Sequence, residues 1–136
     1  MELVALADRD AVRLAEIRKQ YGVTSLHSDY RDLLADPAID LVHIVTRWDS
    51  HTEIAIAALK AGKHVLLEKP MAPTVAECKQ ICDAAKVADT YLMVGHVCRF
   101  NPRCIAAKRE IDMGSIGHVV SLNGRRNVPA AWAAGA

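Results

Sequence analysis

A glutamate, a lysine and a proline stand side by side near the middle of the chain, at residues 68–70. They follow residues 65–67, an apolar run typical of a short buried strand. Open α/β sheets bind ligands in the crevice outside the carboxyl ends of their strands. The amine of Lys69 could hydrogen-bond and polarise a substrate hydroxyl there, with Glu68 orienting the amine. The tripeptide alone, however, is more often a solvated turn.

Three more polar residues, Asp8, Thr46 and His96, each come directly after an apolar run. Right-handed crossovers between parallel strands place the carboxyl ends of those strands at one edge of the sheet. We therefore expect Asp8, Thr46, His96 and the Glu68-Lys69 pair to line one crevice. Polar residues contributed by several separate loops indicate a site more strongly than any one of these motifs does.

The apolar runs alternate with stretches of helical spacing, which is typical of strand–helix–strand units around a parallel sheet. Ser50 and Thr74 each precede a glutamate by three residues, the pattern of a capping box at a helix start. Asp10 can cap the first helix and Gly22 can end it. Strands are expected over residues 3–7, 23–27, 41–45, 65–67 and 91–95.

The pattern changes in the C-terminal part of the chain. Residues 101–113 have the spacing of a helix, residues 113–117 form a glycine-containing turn, and residues 118–123 are typical of a strand. We therefore predict the α/β class, with an incomplete doubly wound parallel sheet of the Rossmann type followed by the start of an α+β domain. The predicted domains are residues 1–96 and residues 97–136.

Asp8 occupies the place of the ribose-binding acid in a dinucleotide fold, at the end of a strand that a helix follows. Such a carboxylate can accept hydrogen bonds from ribose hydroxyls and would repel a 2′-phosphate, which favours NAD. The neighbouring Arg9 could accommodate that phosphate, so NADP stays possible. Only seven residues precede Asp8, too few for the glycine fingerprint that lies about 20 residues before this acid. Asp8 is thus either a plain strand-end acid or the ribose acid of a chain that lacks its natural start.

Composition excludes several classes of function. The 136 residues are one ordinary domain or part of two, and 17 Lys and Arg against 16 Asp and Glu leave no basic excess for binding nucleic acid. No apolar run approaches the roughly 20 residues of a bilayer span, and the first residues lack the basic region of a signal peptide. The four cysteines form no CxxC pair and fit no zinc-ligand spacing. We therefore expect a cytoplasmic protein with reduced thiols and no metal.

Longer stretches of the sequence are similar to a known family. Residues 44–72, which include A-G-K-H-V-L-L-E-K-P-M-A, closely resemble the Gfo/Idh/MocA oxidoreductases, the relatives of glucose-fructose oxidoreductase and inositol dehydrogenase. V-G-H-V-C-R-F-N-P at residues 94–102 resembles that family's transition into its second domain. G-S-I-G-H-V-V at residues 114–120 resembles the turn and first strand of its large open sheet. The resemblance covers essentially the whole chain.

This resemblance implies an NAD(P)-binding domain followed by an α+β substrate domain, and hydride transfer between nicotinamide and a sugar, cyclitol or related polyol. It implies that Lys69 is catalytic, with a cis peptide before Pro70. Family members commonly pair through the open sheet, and a first strand with one unpaired side would also invite association, so a homo-oligomer is expected. The candidate cofactor-binding residues are then Asp8, Arg9, Thr46, His51, Glu68 and Lys69, and the candidate substrate-binding residues are Lys69, His96, Arg99 and Asn101.

The sequence departs from the family pattern in three places. The glycine fingerprint does not occur, Arg47-Trp48 stands where the family usually has Pro-Asn, and the Asp-x-x-x-His motif that supplies the usual catalytic histidine does not occur in the 136 residues. We therefore expect these residues alone not to turn over substrate. The alternative is a non-catalytic nucleotide-binding or regulatory module that retains the fold. His51, in the first turn of a predicted helix, is explained equally well by a structural role.

Overall fold

The computed structural model describes residues 2–125. The chain divides into two compact units, Met1–His96 and Val97–Ala136. The first unit alternates strands with helices. Its elements are, in order, β1 (Ala5–Ala7), α1 (Ala11–Tyr21), β2 (Ser25–His27), α2 (Tyr30–Leu34), β3 (Leu41–Ile44), a 3₁₀ turn (Trp48–Ser50), α3 (His51–Lys60), β4 (His64–Leu67), α4 (Val75–Val87) and β5 (Leu92–Val94).

All strand pairs of the first unit are parallel and form two sheets. β1 pairs with β2, with Leu6 opposite Leu26, while β4 pairs with β3 on one side and with β5 on the other. Parallel strands joined by helices are the Rossmann-type α/β architecture that the sequence predicts. Within residues 2–125, β1 and β3 each pair on one side only, so each keeps an edge of unpaired backbone groups.

The core of the first unit lies where α3 packs on the three-stranded sheet and α4 packs on α3. β4 contributes Val65 and Leu67, whose exposed fractions are 2% and 0%, and β3 contributes Ile44. The helices contribute Ala58 of α3 and Ile81 of α4, both fully buried. Burial of a large aliphatic side chain stabilises a fold by about 1.5–3 kcal/mol. This layer therefore fixes the strands from which the loops at the carboxyl edge begin.

The predicted ends of α1 and the predicted start of α4 are confirmed. The Asp10 carboxylate accepts hydrogen bonds from the backbone N–H groups of Val12 and Arg13 at 2.9 and 3.2 Å. Gly22 ends α1 in the left-handed conformation, with φ of 71°, which glycine adopts without a steric penalty. Thr74 caps α4 by accepting the N–H of the glutamate three residues on.

The capping box predicted at Ser50 is wrong. Ser50 ends the 3₁₀ turn with helical backbone angles (φ −98°, ψ −5°), whereas an N-cap serine needs an extended backbone to reach the next amides. Its hydroxyl instead donates back to the Arg47 carbonyl oxygen at 2.8 Å. Glu53 does not form the predicted capping contact either, because its carboxylate accepts a hydrogen bond from the Tyr30 hydroxyl at 2.6 Å and forms an ion pair with Arg31.

The second unit contains a 3₁₀ turn, Val97–Phe100, and one helix, α5 (Pro102–Asp112). A turn with positive φ at Gly114 and Gly117 follows the helix, as predicted. The strand predicted over residues 118–123 does not form: the backbone there is irregular and exposed. A strand needs a neighbour for its N–H and C=O groups, and no other described segment pairs with this one. The last eleven residues of the predicted second domain, 126–136, lie outside the described residues.

Candidate active site

The carboxyl ends of β3, β4 and β5 lie at one edge of the three-stranded sheet, because Ile44, Leu67 and Val94 stand in register. The loops that follow these strands therefore begin at the same edge. Four of the predicted site residues are brought there, namely Thr46, Glu68, Lys69 and His96.

Asp8 follows β1, and groups of its own loop hold its carboxylate. Oδ1 accepts the N–H of Asp10 at 2.9 Å, and Oδ2 lies 3.4 Å from a guanidinium nitrogen of Arg13. The side chain is still 31% exposed, and a carboxylate offers about four lone-pair sites. Asp8 thus keeps the acceptor capacity that a pair of ribose hydroxyls needs. Arg9, beside it, is exposed.

The loop after β3 is tied to the start of α3. The Ser50 hydroxyl lies 2.8 Å from the Arg47 carbonyl oxygen and 2.9 Å from the Thr46 hydroxyl oxygen. Thr46 itself is exposed at the sheet edge. Sequence reasoning missed this contribution of Ser50, for which the only available signal is its spacing of four residues from Thr46.

His51 is the first residue of α3, and only 1% of its surface is exposed. Its Nδ1 lies 2.8 Å from the Pro70 carbonyl oxygen, and its Nε2 lies 3.0 Å from the Thr46 carbonyl oxygen. Both ring nitrogens therefore face backbone oxygens of the loops after β3 and β4. A direct contact between His51 and a cofactor stays a prediction, whereas the contacts in the structure connect these two loops.

Glu68 and Lys69 directly follow β4, and their side chains lie in different environments. The half-buried Glu68 carboxylate accepts the backbone N–H of Lys69 at 3.1 Å. A Cβ placed on Gly95 would lie 3.5 Å from both oxygens of that carboxylate, so the glycine leaves room around it. The Lys69 side chain is exposed, and its amine has no hydrogen bond or ion pair within residues 2–125. The Lys69–Pro70 peptide is cis, as the resemblance implied.

The remaining predicted substrate residues flank or belong to the second unit. His96 is the last residue of the first unit and is exposed. Arg99 lies in the 3₁₀ turn of the second unit. The Asn101 side chain caps α5 by accepting the N–H of Arg103 at 3.0 Å. The substrate contacts of His96, Arg99 and Asn101 stay predictions.

Asp29 and Tyr30, in and before α2, have shifted pKa values that follow from their immediate neighbours. Burial, together with the hydrogen bond to Glu53, raises the pKa of the Tyr30 hydroxyl. The backbone N–H of Arg31 is the main cause of the lowered pKa of Asp29, the N-cap of α2. Both shifts follow from local partners in a surface network, so neither marks an acid–base catalyst.

The described residues contain neither a candidate metal site nor a helix that could span a membrane. Among residues 2–125, no group of three or more His, Cys, Asp or Glu side chains is placed to hold a metal ion. The four cysteines are unpaired, with Cys78 half-buried and Cys82, Cys98 and Cys104 exposed. No helix in the described part of the chain has the length and apolar character needed to cross a membrane.

Known proteins are similar to this chain in sequence and in fold. Residues 1–96 match the GFO_IDH_MocA family, an oxidoreductase family with an NAD-binding Rossmann fold. Levoglucosan dehydrogenase of Pseudarthrobacter phenanthrenivorans is 39% identical over 119 residues, which are 88% of this chain and 30% of that protein. Myo-inositol 2-dehydrogenase of Thermotoga maritima is 33% identical over 129 residues, 93% of this chain and 39% of that protein.

Solved structures give the same result. Levoglucosan dehydrogenase in complex with NADH matches with a TM-score of 0.75 and 38% identity, covering 85% of this chain and 31% of that one. An oxidoreductase domain protein from Kribbella flavida matches with a TM-score of 0.76 and 41% identity, covering 85% and 32%. The chain thus spans between 30% and 39% of the length of these relatives. By its sequence and its fold, the chain belongs to the Gfo/Idh/MocA oxidoreductases, the family with an NAD-binding Rossmann fold.

Proposed function

We propose that this chain forms the part of an NAD-dependent dehydrogenase that meets the ribose and nicotinamide of the cofactor. The whole protein then transfers hydride between nicotinamide and a sugar, cyclitol or related polyol. The observation that carries the proposal is the exposed amine of Lys69, which leaves β4 at the sheet edge beside the half-buried Glu68. The levoglucosan and myo-inositol dehydrogenases among the relatives support the substrate class.

Lys69 has the chemistry that oxidation of an alcohol requires. A bound nicotinamide supplies the acceptor for the hydride that leaves the alcohol carbon. The proton must leave the hydroxyl oxygen, and Lys69 Nζ can hydrogen-bond that oxygen and, as a neutral amine, take up the proton. Glu68, held by the Lys69 N–H at 3.1 Å, can orient the amine or contact polar groups of the cofactor.

Asp8 supports NAD over NADP. Its partly exposed carboxylate keeps acceptor capacity for ribose hydroxyls and would repel a 2′-phosphate. Arg13 lies 3.4 Å from this carboxylate, which neutralises part of its charge. Arg9 is the group that could attract a 2′-phosphate. If Asp8 alone sets the preference for NAD, an Arg9→Ala variant should keep that preference unchanged.

The experiment that tests the proposal uses the longest polypeptide that the coding region specifies. We expect Lys69→Met to lower kcat by about 10²–10⁴-fold with a polyol substrate, because the acid–base group is lost. Lys60→Met, on the exposed end of α3, is the matched control and should retain kcat. Unchanged kcat in Lys69→Met would overturn the assignment. Binding of NAD without any turnover would favour the non-catalytic module.

A separate expectation concerns the 136 residues by themselves. They contain neither the glycine fingerprint nor the Asp-x-x-x-His motif, so we propose that they do not turn over substrate alone. Detectable NAD-dependent dehydrogenase activity of this polypeptide would refute that statement. Tight NAD binding in isothermal titration would also show that the pyrophosphate is bound without a glycine fingerprint.

We further propose that the protein self-associates. Within the described residues, β1 and β3 each present an unpaired edge, and such edges pair readily with other chains. Sedimentation velocity of the 136-residue chain should show species larger than the 14.8 kDa monomer. A monomer at all accessible concentrations would contradict the proposal.

The thiols support a reducing compartment, and we propose the cytoplasm. Three of the four cysteines are exposed and none is paired. Exposed unpaired thiols persist where glutathione and thioredoxin keep them reduced. Fractionation of cells that carry the tagged protein tests this location.

A further inference from the structure

His51 is a buried polar side chain at the edge where the candidate site lies. Among residues 2–125, Lys63 is the only other buried polar or charged side chain, and it lies just before β4, at the opposite end of that strand. The imidazole ring stands between the Thr46 carbonyl oxygen, at 3.0 Å, and the Pro70 carbonyl oxygen, at 2.8 Å. Thr46 belongs to the loop after β3, and Pro70 follows Lys69 in the loop after β4.

The chemistry of the two partners restricts what the ring can do. Carbonyl oxygens only accept hydrogen bonds, and a neutral imidazole has one N–H and one bare nitrogen. A neutral ring can therefore donate to one of the two carbonyls but leaves its lone pair facing the other. Only a ring with protons on both nitrogens donates to both, and two charge-assisted hydrogen bonds then offset the cost of burying the charge.

We infer that His51 donates an N–H group to each carbonyl and so holds the loops after β3 and β4 at a set separation. In this role it is a positioning residue, which acts through the two loops that its ring contacts. The catalytic consequence rests on the proposed function: if Lys69 meets the substrate and Thr46 the nicotinamide half of the cofactor, the His51 ring sets the spacing between these two groups.

Ser50 provides an internal comparison, because it holds only one of the two loops. Its hydroxyl contacts Thr46 and Arg47, both after β3, and none of its hydrogen bonds reaches the loop after β4. A change at Ser50 should therefore affect one loop, while a change at His51 should affect both. This difference separates a connection between the loops from a general loosening of the start of α3.

The test uses the 136-residue chain labelled with ¹⁵N. The first measurement is the protonation of the His51 ring nitrogens in the unmodified chain, from two-bond ¹H–¹⁵N correlations at neutral pH. The second is hydrogen exchange of two hydrogen-bonded backbone amides in His51→Phe, Ser50→Ala and His51→Gln. The amide at position 50 donates to the Arg47 carbonyl oxygen in the loop after β3, and the amide of Lys69 donates to the Glu68 carboxylate in the loop after β4. Amides of α4 and β5 report whether each variant is folded.

We expect both ring nitrogens of His51 to carry protons. In His51→Phe, hydrogen exchange should rise about tenfold or more in both loops, while exchange in α4 and β5 stays unchanged. The two loops open more easily in this variant, because opening no longer requires the two hydrogen bonds of the imidazole ring to break. Ser50→Ala should raise exchange in the loop of Arg47 alone. His51→Gln should restore part of the protection, since its amide nitrogen carries two N–H groups. One bare ring nitrogen, or a rise confined to one loop in His51→Phe, overturns the inference, and the ring measurement decides even if His51→Phe does not fold.

Chemical-shift changes on addition of NADH separate this inference from the proposed function. Shifts at Thr46 and Lys69 that are lost in His51→Phe support both. If the longest polypeptide that the coding region specifies shows no shift with NADH while the ring and exchange results hold, the positioning role stands and the proposed function fails at this site.

Discussion

The two sheets of the first unit bury their strands to very different extents. In the three-stranded sheet, β4 buries Val65 and Leu67 almost completely, whereas every residue of β1 and β2 stays half-buried. The helices differ in the same way: α1 buries only Leu14, while α3 buries five of its ten residues. Lys69 and Thr46 thus extend from the well-packed sheet, and Asp8 extends from the less buried one. The groups proposed to meet the reacting atoms have the firmer support.

The largest expected effect comes from the centre of the packed sheet. Leu67 is fully buried, so Leu67→Ala should lower the free energy of unfolding by about 2–5 kcal/mol through lost burial and the remaining cavity. Leu14→Ala, in α1, should cost clearly less, because few buried side chains surround it and solvent can fill the space. Urea unfolding monitored by circular dichroism measures both. Equal losses would remove the contrast between the sheets.

A buried lysine gives the second effect. The Lys63 ammonium donates to the Asp36 carbonyl oxygen at 2.7 Å and joins the end of α2 to the start of β4. Lys63→Met should lower the free energy of unfolding by about 1–3 kcal/mol, because the carbonyl loses a charged donor. The exposed Lys60→Met is the control and should stay close to the parent chain in the same urea titration. A loss of equal size at Lys60 would show that charge, and not the buried bond, matters.

Helix caps test whether the two sheets unfold together. Asp10→Ala and Thr74→Ala each remove an N-cap, which typically costs about 1 kcal/mol of helix stability. If the β1–β2 part opens separately, Asp10→Ala should speed hydrogen exchange in α1 alone, while Thr74→Ala should lower the stability of the whole unit. Native-state hydrogen exchange distinguishes these outcomes. Global destabilisation by both variants would mean that the unit unfolds as one body.

The smallest effect is expected on the surface of α4. Hydrogen bonds from Lys79, and then from Lys86, lower the pKa of Asp83. A carboxyl with a lowered pKa in the folded state stabilises above its ordinary pKa, and this contribution is lost as the pH falls through the folded value. Asp83→Asn should therefore lower the Tm slightly at pH 7 in low salt and not at all in strong acid. A difference in Tm that persists in acid would point to another cause.

Much of the fold follows from local patterns. Apolar runs bounded by Asp8, Thr46 and Glu68 mark strands because a parallel strand is buried on both faces, and Asp10 and Gly22 mark helix ends because they satisfy terminal backbone groups. Four of the five strands form one to two residues shorter than the apolar runs, because each run continues past the paired residues at one or both ends, whereas β4 begins one residue before its run. Local chemistry was sufficient wherever the deciding contact lay within a few residues.

The features that the sequence did not reveal depend on contacts between residues far apart in the chain. Ser50 and Glu53 show the spacing of a capping box, yet Glu53 bonds to Tyr30, which is 23 residues away. The strand expected over 118–123 depended on a pairing partner that a local pattern cannot supply. The burial of His51 between two loops is likewise a long-range result, because Pro70 is 19 residues away. Contacts between distant segments decided these cases, and a single sequence without such contacts cannot reveal them.

The close approach of Glu68 to Gly95 has a consequence for how this edge can diversify. An alanine at position 95 would meet both carboxylate oxygens at an ordinary contact distance of 3.5 Å, so one added methyl group is tolerated. A larger side chain would compete with the Glu68 carboxylate for the same volume and displace it. The size of the side chain at position 95 therefore limits the space in which the Glu68 carboxylate can lie.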